Sequence, residues 1–146
     1  MGLQYDPWHH AEELGLTIQE VRLPARRRGE YIHADRLILL APRMGHREAR
    51  CTLAHEIQHA IAGDLPTPFG PAHMRQERLA TKRAAALLID VDEYVAAERL
   101  RDGHGPSIAH DLDVTFKTLG DWRYYVAKDS PSASIALRAI VRSACW

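Results

Sequence analysis

The segment His55-Glu56-Ile57-Gln58-His59 lies in a run whose apolar spacing is that of a helix. From about Gly45 to Ala62, apolar residues recur at intervals of three and four: Ala49, Leu53, Ile57, Ala60 and Ile61. Gly63 follows as a residue typical of a helix end. The run therefore predicts one long helix, with the stripe Leu53, Ile57, Ala60 and Ile61 facing away from the two histidines.

The two histidines of this segment are spaced to bind one metal ion. Residues four apart lie on the same face of a helix, so His55 and His59 can present two imidazoles together. Glu56 lies about 100° further round, near enough to hold a water on the metal. Zinc lowers the pKa of such a water to about 7, and a carboxylate can accept its proton during attack on a carbonyl. The pattern predicts His55 and His59 as ligands and Glu56 as the general base.

A catalytic zinc needs a third protein ligand and an open fourth position. Glu77 is the preferred candidate, in the first turns of a second helix expected over about Ala72–Ile89. Ala80, Ala84 and Leu88 continue its face, and small residues allow two helices to approach closely. The alternative to a ligand role is that Glu77 is an acidic residue that only stabilises the N-terminus of its helix.

Other positions near the helix that carries His55 and His59 are weaker candidates for the third ligand. The position six residues after His59 is Leu65, so a third histidine is absent there. His73 lies at the start of the second helix and remains possible. Asp64 directly follows Gly63, and we interpret it as a solvated loop residue.

Residues 54–62 and 77–89 together resemble the ImmA/IrrE family of metallopeptidases. Those proteins have a zinc-binding helix, then a helix with the pattern Glu-x-x-Ala-x-x-x-Ala-x-x-Leu-Leu, which this chain matches from Glu77 to Leu88. The resemblance covers roughly residues 31–127. It implies a gluzincin-like site with His55, His59 and Glu77 as ligands and Glu56 as general base. One departure is Asp90, where many members have proline; it affects a helix end rather than the site.

The order of periodic segments predicts an α+β fold, with a small antiparallel sheet near the N-terminus and helices after it. A short helix is expected at 7–14, strands at 16–23, 31–33 and 36–41, and later helices at about 91–101, 107–112, 115–127 and 133–143. We divide the chain into a zincin-like core, 1–90, and a helical C-terminal part, 91–146, packed on it as one compact domain.

Residues 108–119 are similar to the core of a helix-turn-helix, a segment that the family often carries after its peptidase part. Between Asp90 and Asp129 there are nine acidic and five basic residues, a net charge of −4. Such a charge repels a phosphate backbone. We therefore expect the segment to pack the fold or to dock a protein, and we expect no direct DNA binding.

The whole chain has the composition of a water-soluble globular protein. Lys+Arg and Asp+Glu balance at 19 each, so no global charge favours nucleic acid or anionic lipid. Cys51 and Cys145 are too few and too far apart for a disulfide framework, which is typical of a reducing compartment. The N-terminus lacks an apolar signal core, and no run approaches the 18 apolar residues of a membrane span. These features favour the cytoplasm.

The sequence also predicts roles for several residues other than the candidate metal ligands and general base. Tyr31, His73 and Tyr94 are candidates to stabilise an oxyanion. We interpret Arg26-Arg27-Arg28 as a solvated hairpin tip rather than a surface that steers an acidic partner, and Cys51 as a small buried residue. The aromatic residues Trp122, Tyr124 and Tyr125 are expected in the core.

The leading hypothesis is a zinc endopeptidase, with Mn²⁺ or Fe²⁺ as alternative metals. By resemblance, its substrate is a regulatory protein such as a helix-turn-helix repressor of a phage or mobile element. The alternative is a non-catalytic, metal-containing binding module that holds a repressor or antirepressor. A third hypothesis is direct DNA binding through residues 107–127.

Overall fold

The computed structural model of the protein describes residues 3–131. The chain divides into two compact units, the first ending at Ala84 and the second beginning at Ala85. The mixed α+β class is confirmed: three short strands lie near the N-terminus and helices dominate the rest. The helix expected at 133–143 lies outside the described residues, and the division at residue 90 stays a prediction.

The first unit contains a three-stranded sheet. Its strands are β1 (Thr17–Glu20), β2 (Gly29–Ile32) and β3 (Leu37–Leu40), in the order β1-β3-β2. β2 is antiparallel to β3, and β1 is parallel to it. The expectation of a wholly antiparallel sheet is therefore wrong. Alternating apolar residues predict strands and their faces, whereas only the short β2–β3 turn sets an antiparallel pairing locally.

The central strand β3 connects the sheet to the core. Ile38 and Leu40 are buried, and Leu37 and Leu39, which alternate with them, are half-buried on the other face, as the two-residue period of a strand requires. The core of this unit joins both outer strands and the first two helices. Its buried residues are Ala11, Leu16, Tyr31, Ile38, Leu40, Leu53, Ile57 and Ala60.

Two helices pack in this unit around the sheet. The first, α1 (Pro7–Glu13), starts at Asp6, whose side chain accepts hydrogen bonds from the next turn's backbone. The second, α2 (His46–Ala62), contacts α1, β2 and β3. Of the predicted apolar stripe, Ile61 does not belong, because its side chain is 51% exposed. It lies about 80° round the helix from Leu53, at the edge of the buried face.

The third helix, α3 (Pro71–Leu88), follows a loop rich in proline and glycine and extends to the end of the first unit and into the second. Its residues Ala80 and Ala84, which follow Glu77 on the same face, are buried. The predicted helix at 72–89 therefore forms within one residue of its expected ends.

The second unit contains α4 (Val91–Leu100), α5 (Gly105–Asp111) and α6 (Phe116–Tyr125). Asp90, the departure from the family pattern, caps α4 by accepting from two backbone N–H groups. α5 packs on α6 across a turn at 112–115, which gives a helix-turn-helix-like arrangement.

Of the three aromatic residues expected in the core of this unit, the structure buries one fully. Trp122 is buried against Tyr94, with ring centroids 4.4 Å apart. Tyr124 is 68% exposed, and Tyr125 is partly buried. The core expectation is thus wrong for Tyr124, because it follows Trp122 by two residues and lies about 160° round the helix from it, on the opposite side.

Among the helices of residues 3–131, none combines the length and apolar character needed to cross a membrane.

Candidate metal centre

The helix α2 brings its two histidines together as their spacing predicts. The Nε2 atoms of His55 and His59 are 3.1 Å apart. Both side chains are largely shielded from solvent, with 23% and 11% exposure respectively. Two lone pairs therefore converge on one point beside the helix.

Glu77 reaches the same point from α3. Its Oε2 atom lies 3.2 Å from His55 Nε2, and its Oε1 atom lies 3.1 Å from His59 Nε2. The ligand atoms of the three residues all lie within 4.8 Å of one another. His73, the other candidate on α3, is not part of this group. The structure thus brings together the three residues that the sequence puts forward as ligands.

The spacing of these atoms fits a tetrahedral ion. Zinc binds nitrogen and oxygen ligands at about 2.0–2.2 Å, which separates neighbouring ligand atoms by roughly 3.3–3.5 Å. The two histidine Nε2 atoms are 3.1 Å apart, and each lies 3.1–3.2 Å from a different carboxylate oxygen of Glu77; each separation is close to an edge of such a tetrahedron. Two imidazoles and one carboxylate are also a common donor set for catalytic zinc. The residues present fit the metal and leave a fourth position for water or substrate.

His59 is oriented by a residue that the sequence analysis misjudged. Asp64 Oδ2 lies 2.8 Å from His59 Nδ1, and the Asp64 side chain is only 20% exposed. Its interpretation as a solvated loop residue is therefore wrong. A carboxylate on Nδ1 holds the proton there and leaves the Nε2 lone pair directed at the metal position.

The local signal for Asp64 was present in the sequence. Gly63 ends α2 with a left-handed φ of +67°, which suits glycine because it has no Cβ. The N–H of Gly63 donates to Ala60 O, and the N–H of Asp64 donates to His59 O at 3.0 Å. These are the two bonds of a Schellman motif. The motif returns the residue after the glycine to the turn that carries His59, so a carboxylate there reaches the ring.

The site residues have perturbed proton affinities. Burial lowers the pKa of His59, yet hydrogen bonds to Glu77 and Asp64 outweigh it and raise that pKa to about 9. Hydrogen bonds from His55 and His59 hold the pKa of Glu77 well below its usual range. Burial raises the pKa of Glu56, against the opposing effect of the two histidines. A carboxylate with a raised pKa is a better proton acceptor near neutral pH.

Glu56 lies against Gly29, at the start of β2. A Cβ on Gly29 would lie 2.9 Å from Glu56 Oε1 and 2.7 Å from Thr52 Cγ2. These separations are shorter than side-chain contacts allow, so only glycine leaves room for the carboxylate here. Gly29 could not be recognised from the sequence, because a glycine at a strand start is common and nothing local indicates what packs against it.

Two of the candidate ligands, His59 and Glu77, border an open cleft of about 360 Å³, which Glu56 also lines. Besides those three, the lining residues come from β2 and the segment before it, from the loop after α2, and from α3: Arg27, Gly29, Glu30, Tyr31, Asp64, Leu65, Pro66, Thr67, Phe69, His73 and Gln76. The cleft is therefore bounded by the edge strand on one side and the loop on the other.

The structure separates the three oxyanion candidates. Tyr31 and His73 both line the cleft, and the Tyr31 hydroxyl is hydrogen-bonded to His33 Nδ1 at 2.9 Å. Tyr94 is fully buried in the second unit, where its hydroxyl accepts a hydrogen bond from Arg123. Two of the three candidates therefore line the cleft, and Tyr94 is not among its lining residues.

Two minor expectations also have outcomes. Cys51 is buried, as expected for a small apolar residue. Arg27 and Arg28 form ion pairs with Glu30 and Glu48, which argues against a patch that steers acidic partners. The arginine segment is not a hairpin tip, because it joins the two outer strands of the sheet.

Comparison with known proteins agrees with this geometry. The model of the peptidase M78 family, described as the IrrE N-terminal-like domain, matches residues 11–121. That range is most of the chain and contains all the residues of the candidate metal centre. A search of curated proteins finds no match.

Proposed function

The chain belongs to the IrrE N-terminal-like family of metallopeptidases, and we propose that it is a zinc-dependent endopeptidase. The observation that carries this proposal is the convergence of His55, His59 and Glu77 within 4.8 Å, beside a buried carboxylate in an open cleft. His55, His59 and Glu77 are the proposed ligands, and Glu56 is the proposed general base.

Zinc at this position would supply Lewis acidity, polarising the scissile carbonyl and making water more acidic. The Glu56 carboxylate accepts the proton that the attacking water loses. It then returns that proton to the amide nitrogen as the C–N bond breaks, which yields a carboxylic acid and an amine. The raised pKa of Glu56 suits both transfers. Tyr31 and His73 are the candidates to donate a hydrogen bond to the carbonyl oxygen during attack.

A peptidase acts on a protein substrate, and the resemblance to ImmA/IrrE proteins suggests which one. We propose a regulatory protein, such as a helix-turn-helix repressor of a phage or mobile element, whose cleavage releases the genes it represses. Co-expression with repressors encoded beside the gene, followed by immunoblotting for fragments, tests this substrate class. Repressors that stay intact with the wild type and with a Glu56→Gln variant alike would argue against it.

Replacing the general base tests the chemistry directly. Glu56→Gln keeps the three ligands and removes the proton acceptor, so we expect one bound metal and at least a 100-fold loss of cleavage. Glu48→Gln is the matched control: it lies on the same helix, pairs with Arg28 at the surface and should keep full activity. Metal content by mass spectrometry and cleavage of a repressor are the two measurements.

The same variants distinguish the proposed peptidase from the alternative, a non-catalytic binding module. A binding module needs no proton acceptor, so Glu56→Gln would leave its function unchanged. Wild-type protein that contains zinc, binds a repressor tightly and leaves it uncut would support that alternative. A Glu56→Gln variant that still cleaves would rule out the proposed mechanism.

A further inference from the structure

One wall of the cleft is apolar and open to solvent. Leu65 and Phe69, in the loop after α2, are 60% and 93% exposed. Both line the same cleft as Glu56 and His59, together with Pro66 between them. Large apolar side chains that are exposed in one cleft commonly mark a binding surface.

The loop that carries these side chains is anchored to α3. Gln76 Nε2 donates to the backbone oxygen of Leu65 at 3.4 Å, and Thr67 Oγ1 donates to Gln76 Oε1 at 3.1 Å. The ring of Phe69 contacts the ring of His73, with centroids 5.0 Å apart. Since these contacts hold the loop in place, Leu65 and Phe69 form a preformed wall and need little ordering on binding.

The cleft lining beside β2 contains two residues of opposite charge that pair with each other. Arg27 Nη1 lies 3.3 Å from Glu30 Oε1, and both side chains are partly exposed. Their opposite charges largely cancel for a ligand between the walls, so this part of the lining selects weakly for substrate charge. The apolar wall therefore gives the cleft a basis for selecting apolar side chains.

We infer that Leu65 and Phe69 form a subsite for a large apolar side chain of the substrate, within one or two residues of the scissile bond. The inference rests on the proposed peptidase function. The occupant is leucine, isoleucine, methionine or phenylalanine of an extended peptide. This side chain lies close to the scissile bond because Leu65 and Phe69 line the same cleft as Glu56, the proposed general base. Burying such a side chain favours a peptide by about 10- to 100-fold over one with serine there.

Cleavage-site profiling tests this subsite. The zinc-loaded full chain is incubated with a proteome-derived peptide library, and the cut sites are read by mass spectrometry. We expect a large apolar residue at one fixed position beside the cut. The double variant Leu65→Ser/Phe69→Ser should lose that enrichment, because its cleavage of peptides with an apolar residue there falls toward the rate for the matching serine peptides. Met74→Ser is the matched control, because Met74 is an exposed apolar residue of α3, and it should keep the wild-type profile.

A binding measurement gives a readout independent of turnover. Zinc-loaded Glu56→Gln protein is titrated with two fluorescent peptides that match a wild-type cut site and differ only in leucine or serine at the preferred position. We expect at least 10-fold tighter binding of the leucine peptide. Adding Leu65→Ser/Phe69→Ser should bring the two affinities close together. Circular dichroism checks that the variants fold.

The outcomes distinguish this inference from the function on which it rests. A zinc-loaded wild type that cuts no peptide and no repressor overturns the proposed peptidase and the subsite with it. Cleavage without apolar enrichment overturns the subsite alone. A double variant that slows every peptide equally while keeping the enrichment also overturns it, since the loop would then act on the chemistry without contacting the side chain.

Discussion

At the scale of single residues, Asp64 acts on the candidate metal centre through His59. The carboxylate lies 2.8 Å from His59 Nδ1, so it orients the imidazole and sets its tautomer. Removing such a partner typically weakens metal binding by about 10- to 100-fold. We expect Asp64→Ala to lower zinc affinity by that factor, measured by competition with a chromophoric chelator.

The control for Asp64→Ala is Asp35→Ala, a substitution at an exposed position of the β2–β3 turn, which should leave zinc affinity unchanged. Asp64→Glu should restore part of the affinity, because it keeps a carboxylate. Equal zinc affinity of the wild type and Asp64→Ala would show that the hydrogen bond does not orient the ligand.

Gly29 affects the site by the space it leaves for Glu56. In Gly29→Ala, the new methyl group would lie 2.9 Å from Glu56 Oε1, so the carboxylate must move. None of the three candidate ligands is among the atoms nearest to that methyl group. We therefore expect normal zinc content with at least a 10-fold fall in kcat, since small misplacements of a catalytic group are costly. Peptide cleavage and metal analysis measure the two effects.

Thr52 provides a test of whether Glu56 is the group displaced. The double variant Gly29→Ala/Thr52→Ser removes the Thr52 methyl group, which is the other close contact, and should stay impaired. Gly45→Ala is the control, because a Cβ there meets nothing within 4 Å. Full activity in Gly29→Ala would mean that Glu56 adjusts freely.

At the scale of secondary-structure elements, the C-terminal end of α2 determines where Asp64 lies. Gly63 has a left-handed φ of +67°, which costs other L-residues about 1–2 kcal/mol. We expect Gly63→Ala to lower the free energy of unfolding by about that amount, measured in urea. Gly120→Ala, in the middle of α6 with open space around it, should instead raise it by up to about 1 kcal/mol. A Gly63→Ala protein as stable as the wild type would contradict this account.

In the second unit, α4 and α6 meet through Tyr94. Burial and a hydrogen bond to Glu98 raise the pKa of Tyr94 to about 12, against the opposing effect of Arg123. An unfolded tyrosine ionises near pH 10, whereas the folded one stays neutral until about 12. Unfolding therefore releases a proton in this window, and the free energy of unfolding falls as pH rises from 10 to 12.

Tyr94→Phe should make that fall shallower, as urea midpoints at pH 9 to 12 would measure. Tyr5, whose pKa is also raised to about 12, contributes equally in both proteins. Tyr124→Phe, at an exposed position, should keep the wild-type pH dependence. Identical slopes for the wild type and Tyr94→Phe would contradict the assignment.

At the scale of the whole molecule, a metal held by His55, His59 and Glu77 would link α2 to α3. An ion that binds only the folded state stabilises it by about 4 kcal/mol when its concentration is 1,000 times its Kd. We expect EDTA to lower the Tm by more than about 5 °C and zinc to restore it, as scanning calorimetry would measure.

Histidine variants make the thermal test specific to the site. His59→Ala should lose the response to zinc, while His110→Ala, whose side chain is 76% exposed, should keep it. A wild-type Tm that is insensitive to both EDTA and zinc would remove the support for a bound metal.

Features set by local geometry could be predicted from the sequence. The helix containing His55, Glu56 and His59 forms over His46–Ala62, because a period of 3.6 residues is a property of the backbone. Gly63 ends this helix, and a Schellman motif then places Asp64 beside His59. Because the motif is local, this contact was also predictable from the sequence. Glu77 was accessible through its spacing to the alanines and through the family pattern.

Features that join distant parts of the chain were decided by the tertiary structure. Alternation did not indicate that β1 pairs parallel to β3, since either direction buries the same faces. The sequence pattern also did not indicate that Gly29 lies against Glu56. Nor did it indicate that Leu65 and Phe69 line the same cleft as Glu56. The sequence determined which groups can bind and activate, because helical spacing is local. Their mutual distances and the shape of the cleft depend on packing among segments far apart in the chain, so only the folded structure decided them.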